Sequence, residues 1–244
     1  MLRDAIRSLV RKRLGDINGV YWTDTEVHTM INNACADISF RTKCVRTNGY
    51  LTSNDCTANT TSAASQEYSL ADNFTNIYSV LEVYFMVNGT RWEKLDSITR
   101  DDLNDREPGW RQLIGYTYTD TAGSTTYNYT SQPSIPTDYY WDREEDVIGL
   151  HPPPNSTNAG SDYIRVYYAT KHTNLTSNTA PTIPEPLHLA VVDHCVSVGN
   201  EDRGYGEKAN DYWKKYLSKL HDYKVERQRE REDDEVIMVP HRNL

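Results

Sequence analysis

Along the first turns of the chain, Leu2, Ile6, Leu9, Val10 and Leu14 fall on one stripe at helical spacing, with Arg3, Arg7, Arg11 and Arg13 around it. This predicts a short amphipathic helix that Gly15 and Gly19 bring to an end. Thr23 with Glu26 is a capping-box signature, and Val27, Ile31, Ala34, Cys35 and Ile38 follow at helical spacing, so a second helix is predicted to about Cys44. Tyr21-Trp22, just before the cap, is placed to staple the turn to the body of the protein. Residues 46–66 are rich in Thr, Ser, Asn and Ala without periodicity and read as a long connection.

Beyond that connection the period changes. Residues 77–87 are rich in β-branched and aromatic side chains and run straight into Asn88-Gly89, a pair that favours a tight type I′ hairpin because both turn residues must take positive φ. The return strand is 90–94, and further strands are predicted at 113–119, 139–142, 147–151 and 163–169, each bounded by Gly, Pro, Asn or Ser. Ser97 or Thr99 can cap a short helix that ends before Pro108-Gly109. After Pro181-Thr182-Ile183-Pro184 the helical period returns: Leu187, Ala190, Val191, Val192, Cys195, Val196 and Val198 make a helix apolar nearly all round, which must be buried between neighbours. Past Gly204 and Gly206, a stripe of Ala209, Tyr212, Trp213, Tyr216, Leu217 and Leu220 marks a last helix that enters the charged run 226–231.

The order is helices, strands, helices. The expected fold is therefore α+β: terminal helical hairpins, 1–45 and 183–232, form a four-helix unit, a mainly antiparallel β region occupies 67–170, and 233–244 is an extended C-terminal tail.

Composition sharpens this picture. Counting glycine in place of tyrosine, the apolar share of the 244 residues is about 34%, against roughly 45–50% in ordinary soluble domains. The difference has gone to Asn, Thr, Ser and Tyr. Aromatic residues at 11% argue against wholesale disorder. A net charge of −9 argues against a free-standing sequence-specific DNA binder. No segment approaches the ~18 consecutive apolar residues of a membrane span, and the start lacks a signal-peptide core, so the expectation is a soluble protein made in the cytosol. Cys35, Cys44, Cys56 and Cys195 show no Cys-x-x-Cys spacing and are read as reduced packing residues.

Chemical motifs give little. Gly204, Gly206 and Ala209 match a dinucleotide fingerprint but follow a buried helix instead of a strand, and the phosphate-loop spacing from Gly199 has Tyr205 where the lysine belongs. A helix–helix turn is the simpler account. His188 and His194 are six apart, off a shared helical face, which disfavours joint metal ligation. Asp142, Glu144, Glu145 and Asp146 hold the residue types of a glycosidase pair, but a charged hairpin turn accounts for them better. Sequons at Asn59, Asn73, Asn88, Asn128, Asn155 and Asn174 follow from a chain rich in Asn and Thr. No catalytic, cofactor-binding or metal-binding residue is assigned, and the expectation is a non-enzyme. The tail is more informative: Val236, Ile237, Met238 and Val239 form a short strand-like apolar segment after a highly charged helix end, suited to pairing with another chain, and Pro240 would end such a pairing.

Taken in order, several landmarks resemble the head-to-tail adaptor proteins of tailed double-stranded DNA phages. They are Tyr21-Trp22-Thr23-Asp24 with Arg41-Thr42-Lys43-Cys44, then Tyr68-Ser69-Leu70 and Asp72-Asn73-Phe74 ahead of Asn88-Gly89. Leu95 and Pro108-Gly109-Trp110 follow, then Gly149-Leu150-His151-Pro152, Tyr167-Tyr168-Ala169 and Pro181-Thr182-Ile183-Pro184-Glu185. Ala71 stands where the family often has proline. The resemblance implies self-association into a ring of about twelve copies, docked beneath the portal protein, with a tail or nozzle protein below. It also implies a location at the head–tail junction of the virion and passage of genomic double-stranded DNA without sequence-specific binding. The C-terminal end of such adaptors commonly reaches into the portal, which makes Val236, Ile237, Met238 and Val239 the expected portal-binding residues. Two rival readings are another tail component, such as a nozzle or tube protein, and a carbohydrate-binding or glycan-hydrolysing β protein suggested by Trp22, Trp92, Trp110, Trp141 and the many tyrosines, which activity abolished by Glu144→Gln would support.

Overall fold

The computed structural model describes residues 1–51, 67–71, 73–107, 117–119, 126–128, 135–152, 154 and 162–237, with 117–119, 126–128 and 230–237 described by their backbone. Its helices are α1 (Arg3–Leu14), α2 (Asp24–Thr42), α3 (Arg100–Arg106), α4 (His188–Asp202) and α5 (Gly206–Ile237). Two compact units result: Met1–Val45 with Thr170–Leu244, and Arg46–Ala169.

The first unit is the helical one, and each of its termini has a local cause. Gly15, at φ 69°, closes α1 in the left-handed conformation that glycine takes without strain. The predicted capping box opens α2: Thr23 Oγ1 accepts the Glu26 backbone N–H at 3.2 Å, and the Glu26 carboxylate accepts that of Thr23 at 2.7 Å. Ile6 and Val10 of α1, Val27, Ile31, Ala34 and Ile38 of α2, Val191, Val192, Cys195 and Val196 of α4, and Tyr216 and Leu220 of α5 share one core. At about 1.5–3 kcal/mol per large aliphatic side chain buried, this seam is what gathers the four helices. As its apolar pattern predicts, α4 is the most enclosed helix, and its buried polar groups are matched: Ser197 Oγ donates to Ala209 O at 2.8 Å and Asn200 Nδ2 to Val196 O at 2.8 Å.

The second unit is built from two four-stranded sheets and a small hairpin. The strands are β1 (Arg46–Leu51), β2 (Glu67–Ser69), β3 (Ile77–Val87), β4 (Arg91–Lys94), β5 (Asp96–Ser97), β6 (Thr117–Thr119), β7 (Thr126–Asn128), β8 (Asp138–Asp142), β9 (Val147–His151) and β10 (Ile164–Thr170). One sheet runs β1-β10-β3-β4, the other β2-β9-β8-β5, and β6 pairs with β7. Leu51, Val83, Phe85, Ile164 and Val166 of the first sheet meet Tyr68, Tyr139, Ile148 and Leu150 of the second in a common core. Asn88 and Gly89 have φ of 52° and 65°, and the Thr90 N–H closes on Val87 O at 3.2 Å, as the hairpin signature requires.

The structure corrects the sequence reading in two places and sharpens it in two more. Residues 46–51, assigned to a connection, form β1, in antiparallel register with β10 from Arg46↔Ala169 to Leu51↔Ile164. Pairing to a distant strand supplies what a segment poor in apolar residues lacks. Within the expected mainly antiparallel β region, β5 pairs with β8 in parallel. Of the two caps offered for α3, Thr99 is the one used, accepting the Asp102 N–H at 3.0 Å, while Ser97 belongs to β5. Finally, α5 runs on to Ile237, so residues 233–237 are helical where an extended tail is expected. A helix already nucleated gains one backbone hydrogen bond for each residue it adds, so extension costs far less than initiation.

Candidate interaction surfaces

One carboxylate fixes the connection between α1 and α2. Asp16, 2% exposed, accepts the backbone N–H groups of Val20 (2.8 Å), Tyr21 (3.1 Å) and Trp22 (3.1 Å), and pairs with Arg11 at 3.1 Å. Burial alone would raise its pKa. The amides of Tyr21, Trp22 and Val20 and the Arg11 charge outweigh that and hold the carboxyl below its ordinary value. Arg11 also donates to Trp22 O at 2.8 Å and to Asp24 at 2.7 Å, so both flanks of the loop are tied to one guanidinium.

This fixed loop turns Ile17, Val20 and Tyr21 to solvent, at 72%, 78% and 70% exposure. Trp22 packs against the helical core, so of the pair expected to staple the turn only the tryptophan does so. The Tyr21 ring lies 4.1 Å from the Arg203 guanidinium, whose Nη1 donates to Leu14 O at 2.7 Å. The α4–α5 turn, with exposed Tyr205, therefore sits beside the α1–α2 loop at one end of the helical unit. Sequence reasoning missed Asp16, Ile17 and Val20. The available signal was large aliphatic residues in a glycine-bounded loop that belong to no periodic stripe.

The other end belongs to α5. Tyr212, Trp213, Tyr216, Leu220 and Tyr223 tie its first half to the core. Past them Lys224 and Glu226 to Arg229 are exposed, with only Val225 half-buried. At 1.5 Å per residue, the 32 residues of α5 span about 48 Å, against about 22 Å for the 15 of α4. Of the expected portal-binding residues, Val236 and Ile237 lie in the backbone of the last helical turn, while Met238 and Val239 lie outside the described residues.

Charge and aromatic contacts anchor the base of this helix. Asp193 of α4 is buried and pairs with Arg13 of α1 and Lys219 of α5, joining three helices. Tyr216 donates its hydroxyl to Asp37, and its ring packs edge-on to His194 at 5.1 Å. His188 accepts the Met1 ammonium at Nδ1 (2.6 Å) and donates from Nε2 to Ile183 O (3.1 Å), which fixes its neutral tautomer. His188 and His194 thus serve separate contacts. Burial pushes the Cys35 thiol up to about 12 and that of Cys195 well above its ordinary value, so both are inert packing groups; Cys44 is half-buried against the same core and Cys56 lies outside the described residues.

In the sheet unit, the acidic cluster forms the β8–β9 turn. Asp142 Oδ1 accepts the Glu144 and Glu145 N–H groups at 2.8 and 3.1 Å, and Arg100 pairs with Asp142, Glu145 and Glu67. The carboxylates are structural partners of one guanidinium, which also lies 5.2 Å from the Tyr140 ring. On the face away from the core, Arg165 stacks on Tyr50 (5.5 Å) and Tyr167 (4.9 Å), and Trp92 meets Tyr50 at 5.9 Å. Trp141 lies beneath Arg143, and Trp110 lies outside the described residues. Among the described residues, no group of three or more His, Cys, Asp or Glu is placed to hold a metal ion, and no helix is long and apolar enough to cross a membrane.

No curated protein matches the sequence. A family model, that of the SU10 adaptor protein, matches residues 2–242, spanning both helical segments and the sheet region inserted between them. The chain belongs to the SU10 adaptor protein family.

Proposed function

We propose that the protein is a structural head-to-tail adaptor of a tailed double-stranded DNA phage, with no catalytic role. Copies associate side by side into a ring of about twelve, the α5 arm with Val236, Ile237, Met238 and Val239 reaches into the portal, and the ring leaves a passage for the genome. The observation that carries this reading is the adaptor family's match over residues 2–242. Two physical features support it. A chain poor in apolar residues and holding 18 tyrosines suits a subunit that completes its buried surface on its neighbours. A net charge of −9 suits a conduit wall that does not hold phosphates.

Native mass spectrometry of the purified protein, alone and mixed with portal, tests it. The expected result is a closed oligomer that joins the portal. Removing residues 233–244 is expected to abolish portal attachment while lowering the helical circular-dichroism signal by no more than the last turn of α5. A strict monomer that ignores the portal overturns the reading, and portal attachment that survives the truncation removes Val236 to Val239 from the contact and favours a nozzle or tube component.

A further inference from the structure

We propose that Asn88 is a self-modification site: with time the Asn88-Gly89 turn converts to aspartate and isoaspartate, while the fold protects two chemically identical pairs elsewhere in the chain. Asparagine followed by glycine occurs at Asn18-Gly19, Asn48-Gly49 and Asn88-Gly89. This dipeptide is the one most prone to the reaction, because glycine has no side chain to keep its backbone nitrogen away from the asparagine amide. All three asparagines are exposed, so access to water does not separate them. What separates them is whether the attacking nitrogen can turn onto its target.

The chemistry needs only water. Hydroxide takes the proton of the glycine N–H, the nitrogen bonds to the asparagine Cγ, and the Cγ–Nδ2 bond breaks with loss of ammonia, leaving a five-membered succinimide. Water then opens the ring at one of its two carbonyls. One opening leaves aspartate on an unaltered main chain; the other routes the main chain through the side chain as isoaspartate. Ring closure requires the peptide plane between the two residues to rotate, so whatever fixes that plane must first be broken.

At Asn48-Gly49 the plane belongs to β1. Asn48 stands opposite Tyr167 and Gly49 opposite Val166 of β10, and Asn48 Oδ1 accepts Arg165 Nε and Nη2 at 3.3 and 3.2 Å. Gly49 also lies under Phe74, where a Cβ would come 2.3 Å from Cε1. At Asn18-Gly19 the attacking group is itself engaged: the Gly19 N–H donates to Asp16 O at 3.1 Å, and Gly19 lies against Arg11, where a Cβ would come 3.0 Å from Nη1. Asn88-Gly89 is different. The two residues are the tip of the β3–β4 hairpin, beyond its last ladder pair Val87↔Arg91. The turn closes through the Thr90 N–H on Val87 O at 3.2 Å, which leaves the Gly89 N–H outside the turn's hydrogen bond. Glycine, here at φ 65°, takes either sign of φ, so the plane can turn while the ladder stays intact. The product adds a negative charge at the hairpin tip and, as isoaspartate, lengthens the main chain there by a methylene.

The test uses the unsubstituted, purified protein, held in mildly alkaline buffer and sampled over time. Digestion and peptide mass spectrometry follow each asparagine separately, and enzymatic methylation of isoaspartyl groups counts the rearranged product. The same series in urea gives the rates of the unfolded chain, where the three pairs are expected to convert alike. In the folded protein Asn88 is expected to convert fastest, close to its urea rate. Asn48 is expected to slow by at least about 10-fold, since its reaction waits for β1 to open locally. Asn18, held by one turn, is expected to fall between them. The proposal is overturned if Asn88 is not the fastest of the three in the folded protein, or if folding leaves the Asn48 rate unchanged.

Discussion

Asp193 shows how much one side chain decides. A carboxylate at 1% exposure between Arg13 and Lys219 is tolerable only because both cations are present, and the two cations, each about a third exposed, retain water. The two ways of breaking the network should therefore differ in cost. The double variant Arg13→Met/Lys219→Met strands a buried charge and is expected to cost about 3–5 kcal/mol, whereas Asp193→Asn, which leaves hydrated cations behind, is expected to cost less, about 1–3 kcal/mol. Urea unfolding of the purified variants gives the order directly; equal costs would mean that Asp193 is hydrated in solution. None of this was legible in the sequence. Asp193 sits in an apolar helix, Arg13 is one of several arginines on α1, and only folding puts them in contact with each other and with Lys219.

At the level of elements, close packing explains a choice that hydropathy does not. Gly149 lies within β9 opposite Tyr140 of β8, and a Cβ there would come 1.8 Å from Tyr140 Cζ. The ring cannot step aside cheaply, since its hydroxyl donates to Glu67 at 2.6 Å and its face receives Arg100. Gly149→Ala is expected to destabilise the sheet unit by about 3 kcal/mol, at the upper end for overpacking. Thermal melting followed by near-ultraviolet circular dichroism measures it, and an unchanged melt would place Tyr140 elsewhere. Elements defined by local chemistry were readable beforehand: the Thr23–Glu26 box, the Asn88-Gly89 hairpin and the all-round apolar α4 depend on neighbours a few residues away. By contrast β1 was not, because Arg46–Leu51 becomes a strand through its distant partner β10.

For the whole molecule, pH reports where the buried bases lie. Burial pushes His172, His188 and His194 below the ordinary 6.5, helped at His188 by the Met1 ammonium and opposed at His194 by the Asp37 charge, which does not outweigh it. The folded protein thus holds these rings neutral, while the unfolded chain takes up protons as pH falls through 6.5, so their contribution to stability is complete above that value and is lost below it. The carboxyl groups of Asp16, Asp138 and Asp142 have the opposite origin: held below 3.8 in the folded state, they add a loss only as pH drops beneath that value. The three histidines all lie in the helical unit. The helical signal at 222 nm is therefore expected to melt at progressively lower temperature between pH 7 and pH 5, and a midpoint that rises over this range would contradict the buried neutral assignment. By itself the sequence determined the order of helices and strands, their local caps and turns and the apolar stripes that join α1, α2, α4 and α5, because those depend on side-chain chemistry repeating at short range. Only the tertiary structure decided that β1 is a strand, that Asp193 joins three helices and that Asp16 holds Ile17, Val20 and Tyr21 outward, because each of these depends on groups that the fold, not the chain, makes neighbours.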